Sequence, residues 1–230
     1  MKVPKRRREL LKNVEQGKPH PLQEAVDLVK KNATAKFDET VELHVNLGVD
    51  AKKTDQQVRG VTVLPKGLGK SQRVVVVTKG EKVKEAEAAG ADAIGDADLI
   101  EKISKGWLDF DVLVASPDVM KDLSKLGKVL GPKGLMPNPK AGTVTFDIGK
   151  TVSELKSGRI EFKLDDSGNL HAPVGKASFQ GKDLAENITT VMNAIQAAKP
   201  ATAKGIYIRS VTVTSTMGVG VRLAYESVVE

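Results

Sequence analysis

The chain contains no cysteine and only three histidines among its 230 residues. The absence of cysteine excludes disulfides, thiolate metal sites and a cysteine nucleophile. His20, His44 and His171 show no close metal-ligand spacing, so we expect no metal site. Because 40% of the residues are hydrophobic, the chain should fold through ordinary apolar cores.

Aromatic residues and long apolar runs are also scarce. Phe, Trp and Tyr together make up 3% of the chain, which argues against a surface on which unpaired bases stack. The basic start of the sequence is not followed by an apolar run of signal or transmembrane length. We therefore expect a cytoplasmic protein without a membrane partner.

Motifs for catalysis and cofactor binding are absent or incomplete. Gly69-Lys70-Ser71 is similar to the end of a phosphate-binding loop, but Leu64 stands where that motif needs a glycine. No Gly-x-Gly-x-x-Gly follows the apolar run at 74–77, so dinucleotide binding is not expected. Asp165 and Asp166 lie in a segment typical of a turn that caps its own backbone. We predict no enzymatic activity and no cofactor.

Positive charge is what the chain has in excess. Its formal net charge is +7 and its pI is about 9.4, which favours nucleic acid as a partner. Five cations lie within the first eight residues, where we expect a disordered arm that attracts phosphates without reading them. They are Lys2, Lys5, Arg6, Arg7 and Arg8.

A second basic segment lies between Val129 and Val144, where many glycines and prolines predict a stiff, shaped loop. No acidic residue occurs from Leu123 to Phe146, so the lysines there are uncompensated. These lysines are Lys125, Lys128, Lys133 and Lys140. The segment favours a polyanion as partner, and the alternative is an ordinary connection with solvated lysines.

The hydrophobic pattern divides the chain into two flanks and a middle part. In the flanks, alternating residues predict half-buried antiparallel strands and helical spacing predicts amphipathic helices. The strands are expected at 41–47, 160–164, 170–174 and 206–214, and the helices at 21–33 and 184–195. The strands at 160–164 and 170–174 should form a hairpin around the turn at 165–169. A slip in the apolar phase predicts a bulge near Arg209 and Ser210.

In the middle part, continuous apolar runs at 74–77 and 112–115 alternate with helical segments, which is typical of a parallel sheet covered on both faces. Neither flank can close a core alone. We therefore predict a mixed α+β and α/β protein with a two-layer antiparallel-sheet outer domain and an inserted three-layer parallel α/β, Rossmann-like domain. The outer domain takes residues 1–67 and 159–230, and the inserted domain takes 68–158. Two thin crossings between them predict hinge motion.

The segment at 213–220 combines three hydroxyl residues, Met217 and two glycines after a buried strand. Such residues let backbone and hydroxyl groups approach ribose and phosphate closely. The alternative is a strand that simply ends in a loop. Because aromatic residues are few, the expected target is folded, double-helical RNA or DNA.

Several segments carry a resemblance that periodicity and charge do not provide. They are Phe37-Asp38-Glu39-Thr40-Val41-Glu42, the 129–144 loop, Gly158-Arg159-Ile160-Glu161-Phe162, His171-Ala172-Pro173-Val174-Gly175-Lys176-Ala177-Ser178-Phe179 and Ser215-Thr216-Met217-Gly218. Together they closely resemble the ribosomal protein L-one family, which forms part of the mobile stalk of the large ribosomal subunit. The resemblance spans nearly the whole chain.

This resemblance implies an outer domain that binds folded large-subunit ribosomal RNA and an inserted domain that adds a secondary contact through Lys133 and Lys140. It also implies that the stalk assists release of deacylated tRNA from the exit site. In bacterial members the same surface binds a similar fold in the protein's own mRNA and represses its translation. Other large-subunit components are further implied partners.

Carried over by position, the family's RNA-facing cluster falls on both flanks. It comprises Lys36, Phe37, Thr40, His171, Gly175, Lys176, Ser178, Ser215, Thr216, Met217 and Gly218. We expect the apolar side chains to pack on ribose, the hydroxyls to hydrogen-bond and the lysines to neutralise phosphates, with His171 as a donor or packing residue. Two alternatives stay open: a nucleotide-binding or small-molecule α/β enzyme, and a purely structural ribosomal component without regulatory action.

Overall fold

The computed structural model describes residues 4–15, 17–79 and 82–225. Contacts divide the chain into two compact units, which we call the outer unit and the inserted unit. The outer unit contains the chain up to Gly69 and again from Ile160 onward, and the inserted unit contains Lys70–Arg159. In the outer unit, two distant parts of the sequence therefore share one core.

Eight helices and nine strands occur in the described residues. The helices are α1 (Lys5–Lys12), α2 (Leu22–Asn32), α3 (Lys82–Ala88), α4 (Ala97–Ser104), α5 (Met120–Ser124), α6 (Gly127–Leu130), α7 (Ile148–Lys156) and α8 (Gly181–Ala197). The strands are β1 (Thr40–Leu47), β2 (Arg59–Val63), β3 (Val74–Val77), β4 (Ala93–Gly95), β5 (Val112–Ala115), β6 (Arg159–Lys163), β7 (Asn169–Lys176), β8 (Ile208–Ser215) and β9 (Val221–Leu223). Single 3₁₀ turns lie at Thr54–Gln56, Pro117–Val119 and Pro139–Ala141.

The outer unit is built on a four-stranded antiparallel sheet with the order β7-β1-β8-β9. Every second residue of β1, from Val41 to Leu47, is buried against α2 and α8, because side chains alternate between the two faces of a strand. The opposite face carries polar residues and is not covered by these helices. The predicted two-layer antiparallel architecture is confirmed.

The predicted bulge is confirmed at Arg209. Asn46 pairs with Ser210 and Leu47 pairs with Ile208, so Arg209 has no partner on β1. An extra residue of this kind restores the apolar phase, and the buried positions on both sides of it keep facing the helices.

The predicted hairpin between 160–164 and 170–174 is wrong. The turn forms, with Asp165 accepting hydrogen bonds from the amides of Ser167 and Asn169, but β6 and β7 enter different sheets. They share only the bridge between Leu164 and Leu170. The alternation predicts two half-buried strands but does not say which partner each one takes, and β6 joins the unpredicted strand β2.

The inserted unit is a three-stranded parallel sheet with the order β4-β3-β5. Val75 and Val77 pack with residues of α4, α5 and α6 on one face, while Val74 and Val76 pack with α3 and α7 on the other. A strand that is buried on both faces needs apolar residues at every position, which explains its continuous valines. The predicted three-layer α/β architecture is confirmed.

The basic start of the chain is not the expected disordered arm. Residues from Lys5 to Lys12 form α1, and Leu10 and Val14 are only 6% and 4% exposed in the outer unit. Leu10 gives the helix one buried apolar side chain, and Val14, which follows the helix, packs in the core of the outer unit. Four of the five cations near the start of the chain, Lys5, Arg6, Arg7 and Arg8, therefore belong to a helix of the outer unit. The fifth, Lys2, lies outside the described residues.

None of the described helices is both long and apolar enough to cross a bilayer.

Candidate nucleic-acid interface

Three segments of the outer unit meet at one end of its four-stranded sheet. Because β1 runs antiparallel to both neighbours, its first residues lie beside the last residues of β7 and β8. Thr40 pairs with Lys176, and Val41 pairs with both Gly175 and Ser215. This end of the sheet brings together ten of the eleven cluster residues predicted for the outer unit, and we call it the sheet-end cluster.

Two large apolar side chains protrude from the sheet-end cluster. Phe37 is 55% exposed and Met217 is 51% exposed. They come from opposite ends of the chain, yet the segments that carry them are joined by hydrogen bonds between Thr40 and Thr216. Exposed apolar groups beside polar ones are typical of an interaction surface.

Glu39 is the organising residue of the cluster, although it is not among the predicted RNA-facing residues. Its carboxylate is 1% exposed and accepts hydrogen bonds from the Ala35 amide (2.9 Å), the Ser215 hydroxyl (2.7 Å) and the Met217 amide (2.9 Å). Arg6 Nη2 lies 3.9 Å from Oε1. This carboxylate therefore joins the segment before β1 to the end of β8 and to α1, while the backbone carbonyl of Glu39 accepts from the Ala177 amide just after β7.

The pKa of Glu39 is the result of two opposing effects. Burial raises it, but the hydrogen bonds from Ser215, Met217 and Ala35, together with the charge of Arg6, outweigh burial and lower it below its usual value. The carboxylate therefore stays ionised at neutral pH. A signal for it exists in the sequence: Glu39 has the same phase as Val41, Leu43 and Val45, so an acidic residue occupies a position on the buried face.

The hydroxyl groups of the cluster form a connected network around Thr40. Thr216 Oγ1 accepts from the Thr40 amide at 3.0 Å, and Lys176 Nζ donates to Thr40 Oγ1 at 2.8 Å. At the rim, the hydroxyl and amide of Ser178 donate to the carboxylate of Asp38 at 2.8 and 3.1 Å. These bonds fix the directions in which the hydroxyl groups face solvent.

Three of the predicted contact residues instead support the backbone. Ser215 is 2% exposed and its hydroxyl is bonded to Glu39, so it does not present the expected donor to a ligand. A Cβ on Gly218 would lie 2.4 Å from that hydroxyl, which explains the glycine. Gly175 is buried with φ +152°, and a Cβ there would lie 2.8 Å from Leu184 Cδ2. The surface that faces solvent is therefore formed by the remaining residues.

His171 lies away from the sheet-end cluster, on the uncovered face of the sheet. It pairs with His44 across β1 and β7, and the two Nδ1 atoms are 2.6 Å apart. His44 lies four positions after Thr40 in β1, which is about 13 Å along a strand. The described residues include no group of three or more His, Cys, Asp or Glu side chains arranged to hold a metal ion.

The pair predicts a pH-dependent stability. Burial, and then the charge of His171, lower the pKa of His44, while Glu42 acts in the opposite direction. The unfolded chain therefore binds more protons than the native protein as pH falls through and below about 6.5, and the free energy of unfolding should decrease there.

We expect His44→Gln to lose part of this pH dependence. Urea denaturation at pH 7.5 and pH 5.5 measures it as the change in unfolding free energy between the two conditions. The change should be smaller in the variant than in the wild-type protein. An equal change in both proteins would contradict the prediction.

Lys133 and Lys140 lie in the inserted unit, and both are exposed. The prediction of a shaped loop is confirmed: Asn138 Oδ1 accepts from the Lys140 amide at 2.8 Å, and Thr143 Oγ1 accepts from the Asn138 amide at 2.8 Å. Lys125 differs from the expectation, because it pairs with Asp122 at 2.9 Å. Its charge is therefore compensated by a carboxylate just outside the acid-free segment.

The geometry shows a rigid surface of hydroxyl, cationic and apolar groups on the outer unit and exposed lysines on a shaped loop of the inserted unit. A family model, described as "Ribosomal protein L1p/L10e family", matches residues 29–219 of the chain. This range includes the whole inserted unit and every residue of the sheet-end cluster from Lys36 to Gly218. The family is one of structural ribosomal proteins and not of enzymes. The chain belongs to the ribosomal protein L1p/L10e family, and it is an RNA-binding protein of the large ribosomal subunit.

Proposed function

We propose that the sheet-end cluster is the surface with which this protein grips folded ribosomal RNA. The observation that carries the proposal is the convergence of both flanks on one preformed surface from which Phe37 and Met217 protrude. A duplex with a shaped groove offers ribose faces for these side chains and 2′-hydroxyls for the neighbouring polar groups. Because this surface is held by internal hydrogen bonds, binding loses little conformational entropy.

Each exposed residue has a role that follows from its chemistry. Lys36 and Lys176 neutralise phosphates, and Lys176 is aimed by its bond to Thr40. Thr40, Thr216 and Ser178 offer directed hydrogen bonds. Ser215, Gly175 and Gly218 maintain the backbone beneath them. His171 extends the surface along the uncovered face of the sheet.

The inserted unit adds a secondary RNA contact through Lys133 and Lys140. Among the residues that the structure describes, neither lysine forms an ion pair, so both ammonium groups are free to meet phosphates. The turns that surround them limit the motion of their backbone. Such contacts strengthen binding and do not select sequence.

We further propose the two finer activities that the resemblance to stalk proteins of the large subunit implies. The stalk assists release of deacylated tRNA from the exit site, and the free protein represses translation of its own mRNA by binding an RNA fold that imitates the ribosomal one. One surface binds one RNA at a time, so ribosomal RNA and mRNA compete for it. Repression then begins when the protein exceeds its ribosomal sites in the cytoplasm.

Nuclease footprinting on large-subunit ribosomal RNA tests the proposal. We expect one compact protected region, and a transcript of that region should bind more tightly than random RNA of the same length. An unlabelled transcript of the protein's own mRNA leader should displace it, and a reporter carrying that leader should be repressed. Diffuse protection would overturn RNA gripping by the cluster, whereas failure of the leader to compete would overturn repression alone.

Thr216→Val should weaken binding to the protected transcript. The substitution keeps the side-chain volume but removes the acceptor of the Thr40 amide and a hydroxyl at the surface. We expect a loss of about 1–3 kcal/mol in binding free energy, because a polar group at the interface stays unsatisfied. Filter binding measures it, with Thr190→Val in α8 as the matched control. Equal affinities of the two variants would remove Thr216 from the site.

A further inference from the structure

The inference concerns α1, and it rests on the proposed function of the sheet-end cluster. Arg6 of this helix donates from Nη2 to the backbone carbonyl of Met217 at 3.2 Å. The same Nη2 lies 3.9 Å from Glu39 Oε1. Since Glu39 accepts from the Met217 amide, both polar groups of the Met217 backbone are held, one by each member of this ion pair.

This arrangement fixes the position of α1 as well as that of Met217. Arg6 and Leu10 are one helical turn apart and therefore share the inward face of the helix, and Leu10 is buried. Just after the helix, Asn13 Nδ2 donates to Asn32 Oδ1 at 3.1 Å, and Asn32 is itself 1% exposed. The helix is thus attached to the outer unit at both ends.

Positive charge is concentrated in α1 well beyond the one cation, Arg6, that faces Glu39. Its sequence, KRRRELLK, contains five cations and one acid, and no acid lies in its first turn. Cations at the N-terminus of a helix oppose the helix dipole, so this order of charges is unfavourable in isolation. A polyanion beside the first turn would reverse the sign of that interaction.

Two of these cations flank the RNA surface. Lys5 and Arg7 each lie about 100° around the helix from Arg6, one on either side. Both are exposed, and neither meets a carboxylate at ion-pair distance among the residues described. With Arg6 against Met217, these two side chains emerge at the border of the sheet-end cluster.

We propose that α1 is part of the RNA interface, in which Arg6 positions Met217 and Lys5 and Arg7 bind phosphates of the same RNA. The helix then works as a clamp along one side of the cluster. A disordered arm adds charge alone, whereas this docked helix also fixes where the charge lies and how Met217 is presented.

The phosphate contacts are tested by the salt dependence of binding to the footprinted ribosomal RNA transcript. For Lys5→Gln/Arg7→Gln we expect the slope of log affinity against log salt to become shallower by about 1.4–1.8, since each phosphate contact contributes about 0.7–0.9. Lys84→Gln/Lys102→Gln removes the same charge from exposed positions of the inserted unit and serves as the matched control. A slope equal to that of the control would overturn the clamp.

The positioning role is tested with Arg6→Gln and Arg6→Lys. Arg6→Gln should lower the preference for the protected transcript over random RNA by about tenfold, because Met217 loses its second backbone anchor. Arg6→Lys, which keeps the charge beside Glu39, should recover part of this preference. Preference unchanged in both variants would overturn the role of Arg6.

Melting temperatures separate positioning from loss of folding, and assays are run where each variant is folded. If Arg6→Gln does not fold, Arg6→Lys tests the positioning of Met217, and Lys5→Gln/Arg7→Gln tests the phosphate contacts. A wild-type protein that does not prefer the ribosomal transcript at all would overturn the proposed function itself. A preference that persists with an unchanged slope in Lys5→Gln/Arg7→Gln would overturn only this inference.

Discussion

Replacing Glu39 by alanine should destabilise the outer unit by about 3–5 kcal/mol, because three donors lose their buried acceptor and each unsatisfied group costs about 1–3 kcal/mol. The change leaves the Ala35 and Met217 amides and the Ser215 hydroxyl without their acceptor, and it leaves Arg6 without its counter-charge. Urea denaturation measures this loss. Glu42→Ala is the matched control, because it removes the same carboxylate from the uncovered face of the same strand, where we expect about 0.5 kcal/mol or less.

Glu39→Gln tests the charge of the carboxylate separately from its size, because glutamine has nearly the same side-chain volume as glutamate. The amide group keeps the volume but turns one acceptor oxygen into a donor, which must then face a donor of the protein. We expect a loss of about 1–3 kcal/mol in stability and weaker RNA binding, because the Met217 backbone is no longer fixed. A variant as stable as the wild-type protein would show that the buried carboxylate does not organise the cluster.

Lowering the pH should also reveal how much the ionised carboxylate of Glu39 contributes to stability. The pKa of Glu39 is lower in the native protein than in the unfolded chain, so its ionised form stabilises folding above the ordinary glutamate value. That stabilisation should be lost as pH falls from about 4.5 through the depressed native pKa. Glu39→Gln should lack this part of the acid transition. Identical acid-unfolding transitions in Glu39→Gln and the wild-type protein would contradict the lowered pKa of Glu39 in the native state.

The comparison of sequence with structure shows which features a pattern can predict. Alternation correctly predicted an antiparallel sheet in the outer unit, and continuous apolar runs correctly predicted a parallel sheet in the inserted unit. The phase slip correctly placed the bulge at Arg209, because the side-chain period is a local property. Pairing is not local. The predicted hairpin between β6 and β7 is wrong because the two strands pair in different sheets. β2 was not predicted because none of its five residues is fully buried, so the strand shows no clear alternation between a buried and an exposed face.

The candidate site shows the same limit. Resemblance marked the residues of the sheet-end cluster, but it did not distinguish Ser215, which is buried, from Thr216, which is exposed. That distinction depends on Glu39, whose carboxylate holds Ser215 and turns the chain at Met217. The docking of α1 was missed for a different reason: its four early cations dominate the composition, and its apolar face consists of few residues.

The largest effect on RNA binding should come from removing both protruding apolar side chains, in Phe37→Ala/Met217→Ala. We expect a loss of about 2–4 kcal/mol in binding free energy, which is the range of central interface residues and corresponds to a decrease in affinity of about thirty- to a thousandfold. The stability of the free protein should change little, because both side chains are more than half exposed. The variant therefore separates binding from folding, which Glu39 variants do not.

Ile206→Ala is the matched control for this double variant. Ile206 is 72% exposed and lies at the other end of the sheet, two residues before Ile208, which pairs with Leu47. It tests whether any exposed apolar residue of the outer unit contributes to RNA affinity. Filter binding to the footprinted transcript should show a large loss for Phe37→Ala/Met217→Ala and none for Ile206→Ala. Equal affinity of the double variant and the wild-type protein would mean that RNA does not contact the surface on which the two flanks of the chain meet.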